Sequence, residues 1–537
     1  LYGPNAFNGI LLVNSKSPFE YQGLSAFYKQ GVNHINGQAG EPTSPQPMYE
    51  ASIRYAKAFN NKFAFKINAS YMQATDWYGT DQTDLNIEAQ GDLPFNPGAN
   101  KVHAFGDEVS NNIGLLRNVS AIQQAFGPAA NSLPDQIVSR TGYDEVNLVD
   151  YNATNLKLNG ALHYRISDNS ELSYTMNYGA GTSVYTGAQR YSLANFSIIQ
   201  HKLELKGDNY FVRGYTTIEN SGDSYIADLT GVVINDRWKS NSVWFGQYAG
   251  AYLQNLLGQG VTPGQLGTSD QQATAHQFAR GAADTGRLMP GTPEFEAAKS
   301  AVRSEVIPGG SLFDDQSRMN MLEGQYNFKN EIDFMDLQVG ASYRVYDLRS
   351  NGTIFADVEG NEITIQEFGA FAQGAKTVFD DKLKLTGSIR YDKNENFDGQ
   401  VNPRISGVYS QGNSNLRLSY QTGFRNPTTQ GQHIDLNVVS SRLIGGLPYY
   451  REKYDIFTNA YSLASVNNYV EAVGSGLSPV DPRATGLLEQ VTSLPELRPE
   501  RVQSVEIGYK SLLATNRLLI DVAYYYNIYN DFITQTS

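Results

Sequence analysis

Stretches of strictly alternating apolar and polar residues recur along most of this chain, and the hairpin from Asn155 to Gly179 shows the unit best. In its second arm Leu172, Tyr174, Met176 and Tyr178 fall on one face, and Glu171, Ser173, Thr175 and Asn177 on the other. Successive side chains of a strand point to opposite faces, so this arm is greasy on one side and wettable on the other. Ser167-Asp168-Asn169 supplies the polar residues of a tight reversal. The same pattern predicts strands at about 22–33, 48–59, 62–75, 152–166, 169–180, 195–206, 209–219, 319–330, 335–348, 365–378, 382–393, 401–411, 414–424, 502–513 and 516–530. The chain reads as all-β.

The links between these strands alternate in length. Short turns, such as Asn60-Asn61, Gly207-Asp208, Gly412-Asn413 and Ala514-Thr515, alternate with long links at about 34–47, 76–151, 181–194, 220–318, 349–364, 394–400 and 425–501. That places the tight turns at one end of the sheet and the elaborate loops at the other, the layout of a large antiparallel transmembrane β-barrel with extracellular loops. The polar face then lines the lumen. Lys66, Glu171, Arg344, Lys384, Arg390 and Arg417 lie on it. Enclosing them in a dry core costs several kcal/mol per ion, on the order of the effective burial penalty of a charge, whereas a wide aqueous lumen avoids it. Tyr71, Tyr178, Tyr391, Tyr420 and Tyr524 fall near the loop-side strand ends, where an interfacial aromatic girdle belongs.

Composition narrows the picture further. The chain has 537 residues, 50 Gly and 35 Tyr, no Cys, and a mean hydropathy of −0.41, too polar for a helical membrane protein. No run of about 18 apolar residues is present, so no spanning helix is expected, while a spanning strand needs only about 9–11 residues. A net charge of −13 argues against a nucleic-acid partner. Fifteen strands is an odd number where bacterial single-chain barrels have even ones, so closing strands are expected beyond Ser537 or, as the less favoured alternative, from another chain.

Three stretches carry a family resemblance. Tyr2-Gly3-Pro4-Asn5-Ala6-Phe7-Asn8-Gly9-Ile10 is similar to the last plug strand of TonB-dependent outer-membrane receptors. Thr422-Gly423-Phe424-Arg425-Asn426-Pro427-Thr428 resembles their Phe-Arg-x-Pro-Thr strand end, and Leu497-Arg498-Pro499-Glu500 with Ser504 to Tyr509 resembles a following strand start. The resemblance, Bacteroidota-like in character, implies a 22-stranded plugged barrel. Residues 1–18 would be the end of the plug domain, and 19–537 an incomplete barrel with extracellular loops at about 76–151, 220–318 and 425–501. It also implies an outer-membrane location in a Gram-negative bacterium, lipid neighbours, and energy supplied by the TonB complex. A surface lipoprotein is a further partner that no residue demands. The implied function is import of a bulky nutrient: an oligosaccharide, a peptide or a chelate. A docking scaffold in an outer-membrane assembly and a passive porin are the alternatives.

The long loops supply the candidate chemistry. The first holds eleven carboxylates from Asp76 to Asp150 against Lys101, Arg117 and Arg140, either a solvated acidic surface or a Ca²⁺ site. The second predicts a helix from Thr292, with Pro293 at its first position and Glu294 and Glu296 in its first turn, and another over about 237–257. Trp77, Tyr78, Trp238, Trp244, Tyr248, Tyr449 and Tyr450 are candidate substrate-stacking residues or the loops' own core, and Arg425 is a substrate contact or a strand-terminal ion pair. With no H-E-x-x-H and no G-x-S-x-G, and no paired acids at a catalytic spacing, neither an enzyme nor a bound cofactor is expected.

Overall fold

The computed structural model describes residues 3–4, 10–35, 44–187, 189–438, 441–474, 477, 480–515 and 517–534. Its main sheet follows chain order through fifteen antiparallel strands. These are β1 (Gly23–Asn33), β2 (Gln46–Phe59), β3 (Phe63–Thr75), β4 (Asn152–Ser167), β5 (Ser170–Thr186), β6 (Arg190–Gly207), β7 (Tyr210–Asn220) and β8 (Arg318–Asn327). There follow β9 (Asp336–Leu348), β10 (Ile363–Val378), β11 (Leu383–Asn394), β12 (Gln400–Gln411), β13 (Ser414–Arg425), β14 (Glu500–Leu513) and β15 (Leu518–Asn530). Every strand predicted from alternation is present. Among the described residues the ladder ends on β1 at one edge and β15 at the other.

Tight turns are built where the sequence places them. Asn60 and Asn61 both take positive φ, 46° and 53°, the backbone a two-residue hairpin needs to match strand twist. Ala514 and Thr515 do the same at 49° and 55°. One expected loop is not a loop. Residues 181–186 and 190–194 continue the ladder, with Thr186 opposite Arg190 and Ser183 opposite Leu193. Alternation in link length therefore fails between β5 and β6. The strands run on because a bulge between Leu193 and Phe196, with Asn195 at φ 53°, re-aims β6 so that Tyr191 and Ser192 also pair with Tyr225-Ile226.

The two faces of the sheet differ as the alternation requires. Ile67, Leu172 and Leu418 are 55%, 36% and 57% exposed, on the face that meets lipid. Lys66, the neighbour of Ile67, is 4% exposed: its Nζ donates to Ser15 Oγ at 2.6 Å and to the Lys16 carbonyl at 2.9 Å. The segment before β1 thus runs along the polar wall. Charges on that wall are paired across strands, Arg213 with Glu323 at 2.5 Å, Arg344 with Glu367 at 3.2 Å and Arg417 with Glu506 at 2.8 Å. Among the described residues no helix is long and apolar enough to cross a membrane.

Candidate functional site: canopy and inner wall

Four helices organise the second long loop: α1 (Ala227–Trp238), α2 (Asn241–Gly258), α3 (Ser269–Ala283) and α4 (Pro293–Arg303). Thr268 and Gln271 form a reciprocal capping box on α3, and Thr292 Oγ1 accepts from Phe295 N at 3.3 Å on α4. The α4 start agrees with its predicted one. The span expected as one helix over 237–257 is two, broken at Lys239-Ser240, and α3 was not foreseen.

Helix α2 carries Trp244, Tyr248 and Tyr252 at i, i+4 and i+8, all on one face and all fully buried. They pack against Ala275, Ala279 and Ala283 of α3, whose small side chains let the helices approach, and against Ile113, Leu133 and Val138 of the first loop. A second shared core joins Phe105, Tyr143 and Tyr151 to Ala227, Ile234 and Phe295. Burying such side chains stabilises the assembly by roughly 1.5–3 kcal/mol each before entropy. Arg140, 1% exposed, rivets the two loops: it donates to the carbonyls of Lys239 (2.8 Å) and Asn235 (3.0 Å) and to Asn241 Oδ1 (2.7 Å). Burial lowers its pKa to about 10. Asp284 closes the joint, accepting from Thr141 Oγ1 at 2.6 Å and from Trp244 Nε1 at 2.9 Å.

The third loop joins in. Leu436 shares a core with Ile226, Leu229 and Ile307 of the second loop, and helix Leu463–Gly474 touches the turn Ile113–Asn118 of the first. The first loop leaves β3 and the third leaves β13, ten strands further round, on the order of 48 Å along the wall at the usual strand spacing. Loops so far apart meet only by converging over the polar face. They form a canopy. Inside the third loop Asp435 accepts from Arg442 Nε at 2.6 Å, Lys453 Nζ at 2.5 Å and Tyr454 Oη at 2.7 Å. These partners hold its carboxyl below the usual range against the opposing effect of burial.

The eight candidate residues do not converge on one site. Trp77 is 50% exposed at the base of the first loop, with the Arg190 guanidinium over its ring at 5.2 Å and His103 edge-on at 5.2 Å. Tyr78 is half-buried against Tyr151, centroids 4.3 Å apart, and Trp238 is half-buried with Lys239 over its ring at 4.6 Å. Tyr449 is exposed beside Tyr450, which is buried with its hydroxyl donating to the His433 carbonyl at 2.7 Å. Trp244, Tyr248 and Tyr450 are thus enclosed in loop cores, out of reach of a solute. Arg425 pairs with Glu500 at 2.7 Å, and Glu500 is 2% exposed.

Among the described residues no group of three or more His, Asp or Glu is placed to hold a metal. Asp84 instead organises turns, accepting from the backbones of Asn86 (2.9 Å) and Asn100 (3.0 Å). Burial raises Asp107 to about 6, Glu108 to about 8 and Asp228 to about 6. Glu145, fully buried, receives Arg190 Nε at 3.0 Å and Tyr151 Oη at 2.7 Å. Gly79 must lack a side chain because a Cβ there would sit 2.3 Å from that carboxylate.

Sequence reasoning missed one feature of the inner wall. Asn68, Asn159, Asn177, Gln200 and Thr217 occupy directly opposed positions on β3 to β7. Their polar side chains join in a single file, at 2.7, 2.6, 3.3 and 3.1 Å. All five were visible as polar positions of alternating strands, but register, which strand alternation does not give, is what aligns them.

Residues 283–537 match the family model described as TonB dependent receptor-like, beta-barrel. Residues 283–537 carry the β-barrel of TonB-dependent receptors. Barrels of this family are outer-membrane proteins of Gram-negative bacteria, and its members are receptors and transporters. Among solved structures, the chain is similar to the siderophore receptor PirA from Pseudomonas aeruginosa, at 8% identity, 94% of this chain, 55% of that one and a TM-score of 0.44. It is similar to PirA from Acinetobacter baumannii at 10% identity, over 95% and 52% of the two chains, with a TM-score of 0.45. The alcaligin outer-membrane receptor FauA from Bordetella pertussis gives 8%, 94%, 51% and 0.38. The chain spans about half the length of these structures. A comparison with curated proteins finds no match.

Proposed function

We propose that this TonB-dependent receptor barrel serves energy-dependent import of a bulky nutrient across the outer membrane. The observation that carries the reading is the pairing of a charged, paired, wettable inner wall with a folded canopy over one rim only. A lipid-facing shell with a polar interior makes a path for hydrophilic cargo, and a folded canopy makes a receptor of its mouth. Residues 1–18 are taken as the end of a plug, in keeping with Ser15 and Lys16 lying against Lys66. The remainder is barrel. Trp77, Tyr78, Trp238 and Tyr449 are the aromatic surfaces offered to cargo, while Trp244, Tyr248 and Tyr450 shape the canopy from within. Arg425 orders the strand end through Glu500. TonB is the energy-coupling partner in this reading, with outer-membrane lipid around the shell and a surface lipoprotein as an optional cap.

Uptake by cells with and without TonB tests it. Accumulation that requires both TonB and this protein supports import. A steady conductance of the full-length protein in planar bilayers points to a porin instead. Loss of partner proteins on deletion, with uptake unchanged, points to a scaffold.

A further inference from the structure

The outward face of the sheet is interrupted between β5 and β9. Register sets Tyr174, Leu203, Gly214, Leu322 and Tyr343 side by side across these strands. Two residues nearer the loops it sets His201, Thr216 and Asn320 in a second row, all on the same face. The first row is bulky except at its centre, so Gly214 opens a groove of about 380 Å³ between Leu203 and Leu322, with the polar row at its head. Nothing in the fold demands glycine there. Its φ is not positive, and a Cβ would meet nothing nearer than the Met321 carbonyl oxygen at 3.8 Å. Glycine inside a strand weakens it and often marks a place where another molecule comes close. Lys202 also borders the groove, but it alternates onto the inner face and pairs there with Glu204 at 3.6 Å.

The polar row is out of place on a face turned to hydrocarbon. His201 Nδ1 is bonded to Tyr174 Oη at 2.8 Å, which fixes the ring and leaves Nε2 for another partner. Among the described residues the side chains of Thr216 and Asn320 make no hydrogen bond, although Asn320 is exposed and Thr216 half-buried. Polar groups left unpaired against lipid tails cost free energy. One step further up β8, about 7 Å along the strand, Arg318 stands opposite Asp347 at the loop-side strand ends. The row therefore lies just inside the loop-side interface of the membrane.

We infer that this groove seats one amide-linked acyl chain of an outer-leaflet lipid, an inference that goes beyond import and rests only on the lipid-facing shell of that reading. The order of the two rows selects the leaflet: the linkage lies loop-ward on the polar row and the chain runs down from it. Beneath Gly214 the same face continues through Gly324 and Ala341, small residues that let a chain lie close to the wall. The polar row selects the linkage. Thr216 and Asn320 hold donors and acceptors side by side. An amide answers both with its N–H and its carbonyl, whereas an ester answers the donors alone and leaves Asn320 Oδ1 unpaired. A second copy of the chain is the poorer occupant, since a stable protein interface buries on the order of 1,200 Å² or more, far beyond one groove.

The test is native mass spectrometry of the full-length protein, delipidated in detergent and then offered lipid A, which carries amide-linked chains, or phosphatidylethanolamine, whose chains are ester-linked only. One lipid A is expected to stay bound at collision voltages that strip the phospholipid. Gly214→Leu, which fills the notch, and Thr216→Val/Asn320→Leu, which removes the polar row, are each expected to lower its occupancy tenfold or more, with the barrels still heat-modifiable on gels. Ile405→Ala, on the same face of β12, leaves occupancy unchanged. No retained lipid, equal retention by the altered proteins, equal retention of the phospholipid, or a dimer that excludes lipid overturns the inference. The shell reading fails in another way. Leu418→Lys puts a charge on the face assigned to hydrocarbon and is expected to block insertion into vesicles. Normal insertion defeats the shell, whereas blocked insertion with no lipid A retained by the unaltered protein defeats the groove alone.

Discussion

The Lys66 ammonium, 4% exposed on the inner wall of β3, is bonded to the Ser15 hydroxyl and the Lys16 carbonyl, 51 and 50 positions back in sequence. This fastens the stretch before β1 to the wall it must cross. Charged hydrogen bonds contribute about 1.5–3 kcal/mol each when well formed. Lys66→Met is expected to release residues 10–22, seen as faster proteolysis there with the strands still protected. Unchanged cleavage means that other contacts hold the segment.

Arg140 binds three acceptors from the second loop while lying in the first. Arg140→Ala removes three bonds to neutral acceptors, of which the Asn235 carbonyl keeps the Lys239 N–H, and its expected cost is about 1–3 kcal/mol, the usual loss when a buried polar group is left unsatisfied. Hydrogen exchange should quicken through α1 to α3 and stay slow in β3 to β8. Equal quickening in both would show that canopy and sheet unfold together.

The canopy has opposed pH limits. Glu108, raised from 4.5 to about 8 by burial, holds its proton in the folded state more tightly than in the unfolded one. Its stabilising effect is complete below the unfolded value and is lost as pH rises through 8. Asp107 and Asp228, near 6, add to the same limb at lower pH. His276, lowered from 6.5 to about 3, works the other way: the unfolded state takes a proton below 6.5, so stability falls with acid until about pH 3. Exchange protection of α1 to α3 should therefore fall on both sides of mildly acidic pH. Glu108→Gln is expected to flatten the alkaline limb only, and a limb that keeps its slope assigns it to other groups.

Trp77 and Tyr248 separate binding from folding. Tyr248 is fully buried, and Tyr248→Ala should cost the canopy about 3–5 kcal/mol through the cavity it leaves. Trp77, half exposed, should cost little stability when changed to Ala, while cargo affinity drops roughly tenfold, about 1.4 kcal/mol. The melting temperature and a binding isotherm, measured on both variants, decide. A Trp77→Ala protein that binds normally removes that ring from the cargo surface.

The strands were legible because period-two alternation records burial directly, and Ile67 beside Lys66 shows the rule at work across one peptide bond. The α4 start was legible from local chemistry alone, since Thr292 and Pro293 act within one turn. What escaped was set by contacts distant in sequence. Residues 181–186 and 190–194 pair with each other, and Tyr191 and Ser192 pair as well with Tyr225-Ile226, a partner that no local signal announces. Trp244 and Tyr450 are enclosed because other loops close over them, so their aromatic character spoke equally for core and for cargo. The inner-wall amides were each visible, but their alignment depends on five strands sharing one register.

Loops one and two share their cores, and this restricts how the mouth can be cleared. Neither arm can swing aside alone without dragging Trp244 or Arg140 out of its seat. Whatever passes must either lift a single block pivoting on the rims of β3, β4, β7 and β8, or slip between that block and the third loop along the Leu436 seam. The seam buries fewer side chains than the core shared by the first two loops, so it is the joint that parts first.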